Sequence, residues 1–220
     1  MLTYHRVNPL RPGANSIETD LTIDPARFAA EMHALRRAGY HSVTQQQLFD
    51  ALYRHARLPR KPVLISVDDG YVDDVRHILP VLRREHLKAT FFVITGRFHQ
   101  PGFMNAAQVR RLDLAGMDVG DHTRSHVDLR LVDAAHLRRE VGASKRALAR
   151  ALGHPVYFFA YPFGALNARV VAGVRSAGFT MAFTTAAGSR ESTAQPLMMP
   201  RLHIGRAVTP QSLISLLRGS

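Results

Sequence analysis

Two short segments hold the residue types that chemistry needs. Ser66-Val67-Asp68-Asp69-Gly70 offers two carboxylates after an apolar run, and His122-Thr123-Arg124-Ser125-His126 offers two imidazoles four positions apart. Brought together, these groups furnish an Asp/His/His set for a divalent metal and a spare carboxylate for moving a proton, the equipment of metal-assisted hydrolysis. Each segment also has a plainer reading. Asp-Asp-Gly is an ordinary turn before a helix, and in a chain with 12 histidines one such pair is weak evidence by itself. The context of the pair is better than the count, because it follows a short apolar run at 117–119 and has Thr123 and Ser125 on hand to orient imidazoles. A third segment, Phe159-Ala160-Tyr161-Pro162-Phe163-Gly164, ends another apolar run in a turn that can aim a backbone N–H, or simply joins strand to helix.

The elements that must position these residues follow from hydrophobic periodicity. Apolar, β-rich runs at 2–5, 41–43, 63–67, 90–94, 117–120, 156–161, 181–184 and about 199–204 predict strands. Amphipathic stretches between them predict helices at 25–38, with Asp24 as cap, Pro25 in the first turn and Gly39 as stop, at 45–55 after Thr44, and at 106–115 after Asn105. Further helices are expected at 134–152, 168–177 and 211–217, and one at 72–86 that Pro80 should kink or split.

Strands alternating with helices argue for an α/β fold with a parallel sheet, and seven or eight such units in one domain over 1–220 favour a barrel. An open, doubly wound sheet is the alternative. In both, functional residues gather at the carboxyl ends of strands, and His5, Asp68, Asp69, His122 and the Tyr161–Gly164 turn fall there.

Composition narrows the chemistry. With no cysteine, a transition-metal site must use His and carboxylate. The net charge of +12 suits anionic partners, but arginine pairs such as Arg36-Arg37 and Arg110-Arg111 lie on separate expected helices and read as solvated faces, so no nucleic-acid partner is expected. No apolar run is long enough to span a bilayer, and residues 1–15 lack the pattern of a signal peptide. The expectation is a cytoplasmic protein as given, or one of the cell envelope if residues precede Met1. Oligomeric state is left open.

Taken together, the three segments resemble the motifs of the polysaccharide deacetylase family, carbohydrate esterase family 4, also called the NodB-homology domain. Ser66-Val67-Asp68-Asp69-Gly70 is similar to its first motif, usually Thr-Phe-Asp-Asp-Gly, and His122-Thr123-Arg124-Ser125-His126 with Leu129 is similar to its second. The resemblance covers roughly residues 60–205 and implies an irregular (β/α) barrel of about seven strands. It also implies one divalent metal ion on Asp69, His122 and His126, zinc ahead of cobalt or nickel, with Asp68 as catalytic base and an acetylated glycan as substrate.

Two departures matter. The third motif usually reads Arg-x-Pro-Tyr-Gly, whereas Ala160-Tyr161-Pro162-Phe163-Gly164 lacks the arginine. This form resembles a subgroup that includes enzymes acting on the poly-N-acetylglucosamine of biofilms, and Arg201 is the expected source of the missing charge. The usual C-terminal Leu-x-His-Asp motif with the acid histidine is also absent; in the subgroup a Tyr-His near the N-terminus replaces it, which points to His5, with His203 as rival. Tyr161 and Phe163 are expected on the substrate or oxyanion side. The function implied is removal of N-acetyl groups from N-acetylglucosamine polymers. The alternatives are a deacylase of another acetylated glycan or small amide, and a non-catalytic carbohydrate-binding relative. A glycoside hydrolase is disfavoured because adjacent carboxylates rarely flank one bond.

Overall fold

The computed structural model describes residues 1–186 and 194–218. In chain order the elements are β1 (Leu2–Tyr4), β2 (Arg6–Val7), α1 (Ser16–Leu21), β3 (Thr22–Ile23), α2 (Pro25–Arg37), β4 (His41–Ser42), α3 (Gln45–Arg54), β5 (Pro62–Val63), β6 (Ile65–Val67), α4 (Leu79–Arg84), β7 (Thr90–Val93), α5 (Ala106–Leu114), β8 (Asp118–Asp121), α6 (Ala134–Arg138), α7 (Ser144–Leu152), β9 (Phe158–Ala160), α8 (Ala168–Ser176), β10 (Met181–Phe183), β11 (Leu202–His203) and α9 (Pro210–Arg218).

Seven of the strands form one sheet in the order β10-β9-β8-β7-β6-β1-β11, with every pairing parallel. β6, β7, β9 and β10 are buried along their whole lengths, as strands covered on both faces must be. The segment before β11 curls this sheet toward a barrel. Met199 bridges to Phe183 at one edge, while Leu202 and His203 pair with Leu2 and Thr3 at the other. Because side chains alternate along an extended segment, Met199 and Arg201 share its inward face, and both are about 1% exposed.

Helix starts follow the capping chemistry. Asp24 accepts from Ala26 N–H, and Thr44 with Gln47 and Asn105 with Gln108 close reciprocal capping boxes. Two features differ from expectation, whereas the division of the 72–86 helix next to Pro80 agrees with it. The 41–43 run pairs with Pro62–Val63 in a separate two-stranded sheet, and not with the main one. The expected 72–86 helix widens into a π-turn at Asp74–Ile78, so that Pro80 falls in the first turn of α4, where its missing N–H leaves no bond unmade. The expected 134–152 helix is likewise interrupted by a π-turn at Arg139–Ala143. Helix α1 and the β2–β3 pair were not foreseen, although Asn15-Ser16-Ile17-Glu18 carries a capping-box pattern that could have marked α1. Among the described residues, no helix is long and apolar enough to cross a membrane.

Candidate active site

β6 ends at Val67, and the chain turns at once: Asp69 and Gly70 take φ values of 79° and 75°. The left-handed conformation at a non-glycine residue costs roughly 1 kcal/mol or more, and it swings Asp68 and Asp69 onto one rim. Glycine is needed at position 70, where an added Cβ would also lie 3.0 Å from Val93 Cγ1. After β8, His122 N–H donates to the Val93 carbonyl, and the loop coils tightly, with Thr123 and His126 at φ 67° and 60°. Thr123 N–H donates to Asp121 Oδ1 at 2.8 Å and His126 N–H to Thr123 Oγ1 at 3.0 Å, which fixes the spacing of the two rings.

Glu140, in the π-turn between α6 and α7, clamps this loop. Its carboxylate accepts from Ser125 N–H and Ser125 Oγ, both at 2.8 Å, and its carbonyl accepts from Arg124 N–H at 3.1 Å. A widened helical turn at such a point re-aims side chain and carbonyl together. Nothing in the sequence around Glu140 marks this contact.

Asp69 Oδ1 lies 3.6 Å from His122 Nε2 and 3.5 Å from His126 Nε2, and one ligand atom from each of the three residues falls within 4.8 Å of the others. His122 Nδ1 sits 2.8 Å from the Ala160 carbonyl, so that nitrogen carries the proton and Nε2 turns its lone pair toward Asp69. Burial brings His122 down to about 3 despite the nearby Asp68 charge, and lowers His126 as well. Both imidazoles are therefore neutral at physiological pH, the state a metal ligand requires. Burial pushes Asp69 up to about 7, helped by the Asp68 charge and opposed by Arg97, Arg201 and Arg6. A carboxylate and two neutral imidazoles converging in this way fit a divalent cation of the zinc type.

Asp68 stands apart from that trio. Arg201 grips it through two parallel bonds, Nη1 to Oδ1 and Nη2 to Oδ2, each 2.7 Å. The guanidinium also donates from Nε to the Thr184 carbonyl at 3.1 Å and from Nη1 to Ser66 Oγ at 3.2 Å. Burial raises the Asp68 carboxyl, but the Arg201 charge and hydrogen bonds, with His122 and His5 beside it, outweigh burial and hold it well below the usual carboxylate range.

A cavity of about 300 Å³ opens over these groups, with His5, His203 and Phe163 also in its wall. His5 Nδ1 is buried with no hydrogen-bond partner among the described residues, and burial lowers this ring to about 4 in spite of Asp68. His203 reaches the same cavity, but its Nε2 is 2.9 Å from Asp20 Oδ2 on α1, and its ring stands 5.7 Å from that of His5. Phe163 sits at φ 57°, is 64% exposed, and meets the His126 ring edge-on at 4.5 Å. Tyr161 is wholly buried, and its hydroxyl donates to the Leu197 carbonyl at 2.9 Å, so only its backbone is left to face substrate. The cavity thus gathers His5, Asp68, Asp69, His122, His126, Tyr161, Phe163, Arg201 and His203, while Thr123 and Ser125 lie outside its lining, and it adds Ile17 and Leu21 of the unforeseen α1.

The sequence profile of the polysaccharide deacetylase family matches residues 55–182. YxkH of Bacillus subtilis (strain 168) is 26% identical over 189 residues, which is 86% of this chain and 65% of that protein, so the chain spans just under two thirds of this relative's length. A poly-β-1,6-N-acetyl-D-glucosamine N-deacetylase of Staphylococcus aureus (strain MRSA252) is 22% identical over 92% of this chain and 77% of its own. The fold superposes on the deacetylase PplD of Streptococcus pyogenes with a TM-score of 0.91 at 24% identity, over 98% of this chain and 96% of that one. The seven-stranded curled sheet is thus the irregular (β/α) barrel expected from the sequence. On the strength of the profile match, this chain belongs to the polysaccharide deacetylase family.

Proposed function

We propose that this chain is a metal-dependent hydrolase that removes N-acetyl groups from N-acetylglucosamine-containing polysaccharide or oligosaccharide. The observation that carries the reading is the division of labour between two adjacent carboxylates: Asp69 faces two neutral imidazoles, while Asp68 is held ionised by Arg201. Environments that separate the states of neighbouring titratable groups mark acid–base chemistry. The Staphylococcus aureus relative, by its name, makes poly-N-acetylglucosamine the first substrate to test.

In this reading Asp69, His122 and His126 hold one divalent ion, zinc first. When bound, it supplies Lewis-acid polarisation of the acetamide carbonyl and a water acidic enough to lose its proton near neutral pH. Asp68 is placed to take a proton from the attacking water, and Arg201 keeps its carboxylate charged and oriented. Phe163 N–H donates to the carbonyl oxygen as negative charge gathers on it, a class of interaction worth roughly 3 to 4 kcal/mol. His5, neutral at rest, passes the proton taken by Asp68 on to the sugar nitrogen as the C–N bond breaks, so that the new C–O bond from water gives acetate and the nitrogen leaves as an amine. Phe163 also presents an exposed ring against which a sugar face can lie.

The test pairs elemental analysis with acetate release from acetylated glycans. One zinc-type ion per chain, lost in a His122→Ala/His126→Ala variant, with turnover abolished and metal retained in Asp68→Asn, is the expected result. Glycan binding retained in Asp68→Asn, with no hydrolysis by the parent on any acetylated glycan or small amide, would favour a carbohydrate-binding relative.

A further inference from the structure

Beside the histidine loop the fold builds a second cavity, of about 270 Å³, lined by Gly96, Arg97, Gln100, Arg124 and Ser125. Among the described residues none that lines it is acidic, and the Glu140 carboxylate that accepts from Ser125 is the acidic group next to its wall. Two backbone bonds lock its walls together: Thr95 N–H to the Thr123 carbonyl at 3.2 Å and Gly96 N–H to the Arg124 carbonyl at 2.8 Å. The approach is so close that a Cβ on Gly96 would fall 2.3 Å from that carbonyl oxygen, so the two arginine-bearing loops cannot be wedged apart by even a methyl group.

Arg97 is set in place by a stack. Its guanidinium lies 4.6 Å from the centre of the Phe103 ring, Phe103 stacks on Tyr71 at 4.7 Å, and Arg6 covers the other side of Tyr71 at 4.5 Å. The stack is anchored in the backbone by Val72 N–H to the Gly102 carbonyl and Met104 N–H to the Gly70 carbonyl, both 2.9 Å. It therefore runs along the rim from the loop that carries Asp69 to the cavity. Arg6 is neutralised by Asp73 at 3.0 Å, and Arg201 by Asp68. Arg97 and Arg124 make no carboxylate contact within 4 Å and no side-chain hydrogen bond among the described residues; the Arg97 charge is felt by Asp69, and its side chain is only partly exposed. A guanidinium held against an aromatic face loses little freedom on binding and presents a planar fork of donors matched to an oxyanion.

We propose that Arg97 and Arg124 form an anion-binding subsite for a carboxylate or phosphate carried by the sugar next to the one being deacetylated. The inference rests on the deacetylase reading above for the identity of the neighbouring group and narrows the substrate class from neutral N-acetylglucosamine polymers to acidic glycans. The location supports it: Arg124 and Ser125 lie within the chain between His122 and His126, so the cavity adjoins the loop that carries both active-site histidines. The net charge of +12 adds a long-range attraction of the same sign.

The test uses matched N-acetylglucosamine oligosaccharides in three forms: neutral, with a neighbouring sugar bearing a lactyl carboxylate, and with a neighbouring sugar 6-phosphate. Binding to the zinc-loaded chain is titrated calorimetrically and acetate release is followed in parallel, for the parent, for Arg124→Gln and for Arg97→Gln/Arg124→Gln. The single variant guards against misfolding of the double one. The expected result is a kcat/KM at least about tenfold higher for one charged form than for the neutral one, expressed in KM, weakened by salt and brought close to parity in the double variant. Which charged form benefits identifies the anion. Equal kcat/KM for all three forms, or a preference unchanged in the variants, would overturn the subsite and leave the deacetylase reading standing. If no form releases acetate, the deacetylase reading falls, and the titrations still decide the subsite: tighter charged than neutral binding that vanishes with the arginines upholds it, and equal binding rejects it.

Discussion

Arg201 and Asp68 are separated by 133 positions in the chain, yet they form a bidentate ion pair at 2.7 Å in which both side chains are almost fully buried. The pair welds the segment that curls the sheet to the strand that carries the adjacent carboxylates. Breaking a buried pair by removing one partner strands the other charge, which typically costs about 3 to 5 kcal/mol.

Arg201→Met is accordingly expected to lower stability by about that amount, while Arg201→Met/Asp68→Asn recovers much of the loss because no bare charge remains. Urea unfolding of both variants checks this. Since Asp68 is held below its unfolded range, its share of stability is present above about pH 4 and is lost as pH falls further. A single variant as stable as the parent would show the pair to be inconsequential.

Glu31 on α2 predicts a pH effect of opposite sign. Burial pushes it up to about 7, against the hydrogen bond from Tyr4 Oη at 3.1 Å and the charge of Arg27. Between roughly pH 4.3 and 7 the folded chain binds this proton more tightly than the unfolded one, so stability is full at the acid end, falls as pH rises, and levels off above about 7. The difference is on the order of 3 kcal/mol. Glu31→Gln should therefore gain on the parent at pH 8 but not at pH 4; identical pH profiles for the two proteins would refute the assignment.

Glu140 touches neither substrate nor any of the three expected metal ligands, but it holds Ser125 and Arg124 between the two histidines. Glu140→Ala should weaken zinc binding by about 10- to 100-fold with secondary structure intact. Competition with a chromophoric chelator measures this, and unchanged affinity would mean the loop keeps its shape without the clamp.

His5 and His203 separate by their surroundings, the first with an unpartnered buried Nδ1 and the second paired with Asp20. His5→Ala is expected to lower kcat by about 10² to 10⁴ at unchanged metal content. His203→Ala should cost far less. The reverse order would make His203 the acid and His5 its neighbour.

The sequence by itself determined what depends on near neighbours in the chain. Apolar runs set the strands, Asp24, Thr44 and Asn105 set helix starts through bonds two or three residues long, and the Asp68-Asp69-Gly70 turn placed both carboxylates at a strand end. The approach of His122 and His126 to Asp69 was legible for the same reason, because each segment follows a strand whose carboxyl end must face the common rim. Tertiary structure decided what depends on which strands become neighbours. Nothing around Arg201 says that it points inward; its bond to Asp68 exists because the 199–203 segment bridges β10 and β1, and strand alternation turns residue 201 toward the interior. The same holds for Asp20 beside His203, for Glu140, whose contact arises only where a helical turn widens, and for Arg97, whose aromatic support comes from two loops laid side by side. Local periodicity carries no record of such contacts, since each is fixed by how separate elements and loops pack together and not by the order of neighbouring residues.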